Sequence, residues 1–194
     1  MQDDFDLAYL SVGEEWDKAE SAIKLAEQVN REVVSPAIYE LRYAGRKLVE
    51  AKQLRLPDPA KSLDLLRDAK MDCLRARHDA IDAATSKIVM DLEIAVSNLG
   101  ATRVLSCFPN WSDVYGQLVQ VRSKIAVSRE DRNNRDAIYS TIQGTDLPAI
   151  VKLYNAFKAQ EPHLIRDAKK ERWTAVGGYV VGAIGIVIGV IGIL

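Results

Sequence analysis

The stretch PAKSLDLLRDAKMDCLRARHDAIDAA, residues 59–84, decides the fold. Its small and apolar residues return every three or four positions, which is the spacing of neighbours on one face of an α-helix. Asp58 suits an N-cap, Pro59 suits the first helical position, and Gly100 is a typical C-terminal stop. We therefore predict one long helix over residues 59–98. Its inner face carries Leu63, Leu66, Ala69, Cys73, Ala76 and Ala80.

Helical periodicity continues on both sides of this helix. Before it, we predict an amphipathic helix at residues 13–34 and a second helix at 36–54. The break falls at Ser35-Pro36, because proline lacks an amide donor and disfavours helix in the residue before it. After an irregular stretch to residue 110, we predict helices at 112–128, 129–143, 146–160 and from Pro162 onward. The predicted fold class is all-α, an antiparallel helical bundle.

The charges of the chain nearly cancel, with 26 Lys and Arg against 27 Asp and Glu. This balance argues against a dedicated nucleic-acid-binding domain, which normally carries a strong basic excess. Cys73 and Cys107 are too few for a disulfide framework and fit buried thiols in a reducing compartment. His78 and His163 lack metal-ligand spacing. We therefore predict no metal, no cofactor and no catalytic residue.

Residues 173–194, WTAVGGYVVGAIGIVIGVIGIL, contain no charged residue and no side-chain amide. As a helix they would span about 33 Å, against about 30 Å for a hydrocarbon core. Basic residues before the segment favour the cytoplasmic side, and Trp173 favours the interface. We predict a cytoplasmic helical-bundle domain at 1–172, a single transmembrane helix at 173–194, and a single-pass location in the cell inner membrane. A buried core helix is the alternative.

Five glycines of this segment recur at spacings of four, three, four and three: Gly178, Gly182, Gly185, Gly189 and Gly192. A seven-residue period puts them on one stripe of a helix. Glycine allows close approach of backbones, which drives helix association in lipid. The stripe therefore predicts a homo-oligomer, either a tight pair or a larger ring. A ring could form a pore with a hydrophobic constriction, and an inert anchor is the rival interpretation.

A second charged pattern is a basic segment in the predicted second helix. Between residues 41 and 55, five cations stand against Glu50 alone: Arg42, Arg46, Lys47, Lys52 and Arg55. Such a surface could bind an anionic ligand, such as a nucleotide or a phosphate backbone. The alternative is a solvated helix face paired with the acidic first segment. In that segment only Lys18 opposes Asp3, Asp4, Asp6, Glu14, Glu15, Asp17 and Glu20.

Two stretches, PAIYELRYAGRKLVE at residues 36–50 and DAKMDCLRARHDAID at 68–82, resemble the paired helices of HEPN-like proteins of prokaryotic defence systems. This resemblance implies a small helical bundle that often dimerises. Active HEPN ribonucleases carry Arg, then four to six intervening residues, then His, and cut RNA by activating its 2′-hydroxyl. The matching positions here are Arg42 and Lys47, so the histidine is missing. A lysine protonated at neutral pH is a poor general base.

Together these features predict a tail-anchored, self-oligomerising membrane effector of antiviral defence. Its helical body would sense a ligand or partner, and the assembly would form or gate a channel that depolarises the membrane. The alternatives are a membrane-tethered HEPN-like ribonuclease using Arg42 and a non-conducting tail-anchored adaptor. The predicted partners are the lipid membrane, further copies of the chain, a nucleotide or nucleic acid at the basic helix face, and a protein.

Overall fold

The computed structural model describes residues 4–166. These residues form α1 (Asp4–Asn30), α2 (Ser35–Leu54), α3 (Pro59–Leu99), α4 (Ala101–Cys107), α5 (Trp111–Glu130) and α6 (Arg135–Thr141). A π-helical turn, Ile142–Asp146, leads from α6 into α7, residues 147–166. Residues 4–166 contain no strand, so the all-α prediction is confirmed for this part of the chain.

The bounds of α3 follow from its local sequence. The Lys61 amide donates to the Asp58 carboxylate at 3.1 Å, and Pro59 is the first residue of the helix. At the other end Gly100 has a φ of 82°, and its N–H donates to the Val96 carbonyl at 2.9 Å. Glycine adopts this left-handed backbone without steric cost. The predicted cap and stop are therefore both confirmed.

The 41 residues of α3 form the central helix, on which the other long helices pack. The contacts between α1 and α3 advance in the same direction along both helices: Ser11 contacts Lys70, and further along Glu15 contacts Arg77. Contacts with α2 run in the opposite sense, from Ala51 with Ser62 to Lys47 with Asp72. Thus α1 and α3 point the same way, and α2 is antiparallel to both.

The core between α1, α2 and α3 is built largely from small side chains. Ala44, Ala51, Ala69 and Ala76 are fully buried, and small residues at the contact let helix axes approach closely. Cys73 is also fully buried, and burial raises the pKa of its thiol to about 12. Such a thiol packs as a small apolar side chain, which confirms the prediction for Cys73.

The C-terminal half of α3 shares a second region of the core with α5, α6 and α7. The ring of Phe157 meets those of Phe108 and Trp111 edge-on, with centroids 5.6 Å and 6.0 Å apart. This edge-to-face geometry is the favoured one for aromatic pairs. The Tyr154 hydroxyl donates to Asp91 on α3 at 2.5 Å. The aromatic contacts hold α7 against the start of α5, and the hydrogen bond holds it against α3.

The π-helical turn changes the spacing of buried residues. Ile142 is buried in the turn, and the next buried residues are Leu147 and Ile150. A spacing of five would carry Leu147 about 140° around a regular α-helix, away from the inner face. The wider π turn absorbs the extra residue, so both side chains remain in the core.

Several helix bounds differ from those predicted, and the helix predicted to start at residue 129 starts at Arg135, because α5 continues to Glu130. α1 begins at Asp4 rather than at residue 13, because Phe5 and Val12 also pack into the core. Residues 101–107 form α4 within the stretch predicted to be irregular. Pro162 lies inside α7 instead of starting a helix. The helix continues there although proline removes one backbone hydrogen bond, because buried residues on both sides, Phe157 and Leu164, hold it in the core.

The predicted fold class also included a transmembrane helix, with a single-pass location in the cell inner membrane. Both predictions are corrected: between residues 4 and 166, none of the helices is both long enough and apolar enough to cross a bilayer. Even α3, the longest of these helices, carries charged side chains along its whole length, and such a helix is not suited to a hydrocarbon core. The predicted span, 173–194, and its glycine stripe lie outside the described residues. The supported fold class is an all-α bundle.

Candidate ligand-binding face

The helix α2 turns one stripe of residues onto α3 and the opposite stripe to solvent. Its buried residues, Ala37, Ala44 and Ala51, recur every two turns. At 100° per residue, another set of side chains lies on the far side of the helix. We define the α2 outer face as Tyr39, Arg42, Tyr43, Arg46 and Val49.

The α2 outer face combines exposed rings with exposed cations. The exposed fractions are 54% for Tyr39 and 51% for Tyr43, although a tyrosine usually has most of its ring covered. Arg42 and Arg46 are also exposed, and neither forms an ion pair with another residue of the 4–166 region. The rings and guanidinium groups are therefore open to an external ligand.

The five basic residues predicted to bind a ligand do not lie on one surface of the protein. Lys47 Nζ lies 2.8 Å from Asp72 Oδ2 on α3. Arg55 pairs with Asp6 of α1 at 3.0 Å, so the predicted pairing with the acidic first segment holds for this residue. Lys52 is exposed, but its position places it on a different side of α2. Only Arg42 and Arg46 of the five belong to the α2 outer face.

Lys47 is engaged in holding α2 onto α3. Its partner Asp72 is only 2% exposed and also pairs with Arg75 at 2.9 Å. The Lys47 contact is ionic rather than an aligned hydrogen bond, since Asp72 Oδ2 has no hydrogen-bond partner within the described chain. A buried carboxylate is strongly unfavourable without a nearby cation. The Lys47 ammonium is therefore held by Asp72 and is not available as a general base.

A buried polar network lies in the middle of α3. Arg77 donates to Glu15 of α1 at 3.4 Å and pairs with Asp136 of α6. The neighbouring His78 stacks on Tyr139, with ring centroids 3.9 Å apart. Burial and the nearby Arg77 guanidinium lower the pKa of His78 to about 3. The imidazole is thus neutral at physiological pH, and the network joins three helices.

Asp79, at the edge of this network, gives a pH-dependent prediction. Burial and the Glu40 and Asp82 carboxylates raise the pKa of Asp79, with nearby guanidiniums acting in the opposite direction. The folded chain therefore holds this proton more tightly than the unfolded chain does. The stability that protonation contributes is present below the unfolded pKa and is lost as the pH rises through the folded pKa. We expect Asp79→Asn to raise the unfolding temperature at pH 8 more than at pH 4.

Thermal denaturation followed by circular dichroism at both pH values tests this expectation. The control is Asp17→Asn, which removes the same charge from an exposed position on α1. The raised pKa of Asp79 would be contradicted if Asp79→Asn changed the unfolding temperature equally at pH 4 and pH 8. It would also be contradicted if Asp17→Asn changed the unfolding temperature with the same pH dependence.

Sequence reasoning missed the tyrosines of the outer face. Tyr39 and Tyr43 lie in the HEPN-like stretch, but only the basic residues of that helix were predicted to bind a ligand. The signal was present in the spacing of the two tyrosines, since they lie one turn apart and about 100–140° around the helix from the Ala37, Ala44 and Ala51 stripe. An aromatic residue that is placed outside the buried stripe of an amphipathic helix is a candidate contact residue.

No family model, no curated protein and no solved structure matches this chain. The resemblance of residues 36–50 and 68–82 to HEPN-like proteins therefore stays a prediction. The class of site is defined by the residues themselves: an exposed aromatic and basic face on a helix of an all-α bundle.

Proposed function

We propose that the described bundle is a non-enzymatic sensing module of an antiviral-defence protein, and that its α2 outer face binds a nucleotide or a single-stranded nucleic acid. Two exposed tyrosines interleaved with two arginines support this proposal most directly. The predicted channel depends on residues 173–194, which lie outside the described residues.

The chemistry of the face suits bases and phosphates together. Tyr39 and Tyr43 lie about 6 Å apart along the helix axis and offer two surfaces for base stacking. Arg42 and Arg46 lie beside them, and guanidinium groups bind phosphate oxygens through paired N–H donors. Stacking tolerates any base, so the face predicts binding to single strands with little sequence preference.

The charge of the whole chain limits this binding to a local contact. A formal net charge of −1 supplies no long-range attraction to a polyanion. An open groove of 630 Å³ continues the face toward the start of α3, lined in part by Arg46, Gln53 and Lys61. Its size is in the range of small-ligand sites. We therefore favour a mononucleotide or a short single strand over a duplex.

The ribonuclease alternative has weaker support than binding. Its matching residues are Arg42 and Lys47, and the Lys47 ammonium is held 2.8 Å from the buried Asp72 carboxylate. Using Lys47 as a base would remove a cation from that carboxylate, which is costly. Binding at the outer face needs no such change.

We expect the double variant Tyr39→Ala and Tyr43→Ala to bind a fluorescein-labelled oligouridine about 30-fold more weakly, or worse, than the unchanged chain. Removing one base-stacking ring costs about 1–3 kcal/mol. Fluorescence anisotropy of the whole chain at low salt measures the dissociation constants. The fold should be retained because both side chains are half exposed, and circular dichroism checks this.

The arginines give an independent readout in the same assay. Replacing Arg42 and Arg46 with alanine should reduce the dependence of log K on log salt by about 0.7 for each phosphate that is no longer neutralised. The matched control changes Tyr115 and Arg132, which are exposed outside α2, to alanine. Absence of binding by the unchanged chain, or equal losses of affinity in this control, would overturn the proposed function.

A further inference from the structure

A separate cleft lies between α3 and α5 and includes no residue of α2. Its volume is 470 Å³, which is within the range of about 300–1,000 Å³ for small-molecule sites. We call it the α3–α5 cleft. Its position beside different helices makes it independent of the α2 outer face.

One end of the α3–α5 cleft is closed by contacts within the protein. Arg129 on α5 lies 3.5 Å from Asp82 on α3. Asp82 also accepts a hydrogen bond from the Tyr139 hydroxyl at 2.8 Å. These contacts engage Asp82 and hold the Arg129 guanidinium beside it at this end of the cleft.

The other end carries a cation that is open to a ligand. Arg122 on α5 lines the cleft and is exposed, and it makes no ion pair inside the described range 4–166. Guanidinium groups bind carboxylate, sulfonate or phosphate oxygens through two parallel donors. Glu93 lies at the same rim and would repel a ligand with several negative charges. This combination selects for a single anionic group.

The middle of the cleft is largely apolar, and its polar side chains are Thr85 and Ser86. Val89, Met90 and Ile125 line it, and Met90 is about half exposed. Thr85 also lines it and is only 3% exposed, yet its hydroxyl has no hydrogen-bond partner in the described chain. Leaving a buried hydroxyl without a partner is unfavourable. A ligand oxygen at the base of the cleft would supply that partner.

We propose that the α3–α5 cleft binds a small amphipathic monoanion. The anionic group lies at Arg122, the apolar body covers Val89, Met90 and Ile125, and an oxygen of the ligand reaches Thr85. The partly exposed Met90 is then buried by the ligand, and a flexible methionine adapts to ligands of different shape.

Two fluorescent probes with the same aromatic body test this site. 8-Anilinonaphthalene-1-sulfonate is an amphipathic monoanion, and N-phenyl-1-naphthylamine is its uncharged counterpart. We expect the whole chain to bind the sulfonate saturably at one site. Arg122→Ala should raise the dissociation constant of the sulfonate at least fivefold and leave that of the amine unchanged, because only the sulfonate uses the guanidinium.

A second variant, Ala126→Leu, keeps the charge and fills the cleft from α5, so it should weaken both probes at least fivefold. Ala126 is exposed, so the larger side chain is compatible with the fold.

Arg132→Ala is the control for loss of an exposed cation outside the cleft. Non-saturable binding, an equal effect of Arg122→Ala on both probes, or an effect of Arg132→Ala as large as that of Arg122→Ala would each overturn the proposal. Oligouridine binding by Arg122→Ala should be normal, which separates this test from that of the outer face.

Discussion

Replacing Arg77 with alanine is expected to lower the free energy of unfolding by about 3–5 kcal/mol. Arg77 is 1% exposed, and its partner Glu15 is also buried. Without the guanidinium, the Glu15 carboxylate stays in the core with Lys18 as its remaining cation, at 2.7 Å but half exposed to water. Asp136 loses a partner as well, although its side chain is half exposed and can be solvated. Urea denaturation followed by circular dichroism measures the loss of stability.

Two further variants separate charge burial from loss of packing. Arg67→Ala removes an exposed arginine paired with Asp64 on the same helix, and should cost no more than about 1 kcal/mol. The paired change Arg77→Met and Glu15→Leu removes both buried charges with similar volume, and should recover most of the lost stability. If the paired variant were as unstable as Arg77→Ala, loss of the guanidinium beside the buried Glu15 carboxylate would not be the cause.

Phe157→Ala is expected to cost about 3–5 kcal/mol, because it opens a cavity in the second region of the core. Phe157 is 0% exposed and contacts the rings of both Phe108 and Trp111. The fluorescence of Trp111 should change in the folded state, since a ring in contact with it is removed. Urea denaturation followed by both fluorescence and circular dichroism gives the two readouts.

The control for this change lies on the same helix. Ile165 is partly exposed on α7, and Ile165→Ala should cost less than about 1 kcal/mol. Phe157→Leu keeps much of the volume and should lie between the two alanine variants. Similar losses of stability for Phe157→Ala and Ile165→Ala would mean that α7 is not held by its aromatic contacts.

The bounds of α3 could be predicted because their signals are local. Asp58, Pro59 and Gly100 act within one helical turn of the residues that they cap or stop. The start of α1 and the continuity of α7 could not be predicted in this way. They depend on burial of Phe5 and Leu164 against distant parts of the chain, which overrides a weak local pattern.

The candidate site was predicted only in part. The sequence groups Arg46 and Lys47 as neighbours, but consecutive residues of a helix point about 100° apart. Arg46 therefore reaches solvent while Lys47 turns toward Asp72, whose burial depends on the packing of α3. The α3–α5 cleft was not predicted at all, because its walls come from residues about 40 positions apart in the chain.

The π-helical turn at Ile142–Asp146 holds one residue more than a regular helix needs to keep its buried side chains on one face. A Cβ added at Gly144 would meet no atom within 4 Å, so substitutions at that position are sterically tolerated. Deletion of one residue would convert the turn into a regular α-helix and leave Ile142 and Leu147 four positions apart, which keeps both on the inner face. Insertion of a further residue would instead rotate everything after it by about 100° and carry Tyr154 and Phe157 away from the core. Over evolution, this turn should accept point mutations and the loss of one residue, and reject insertions.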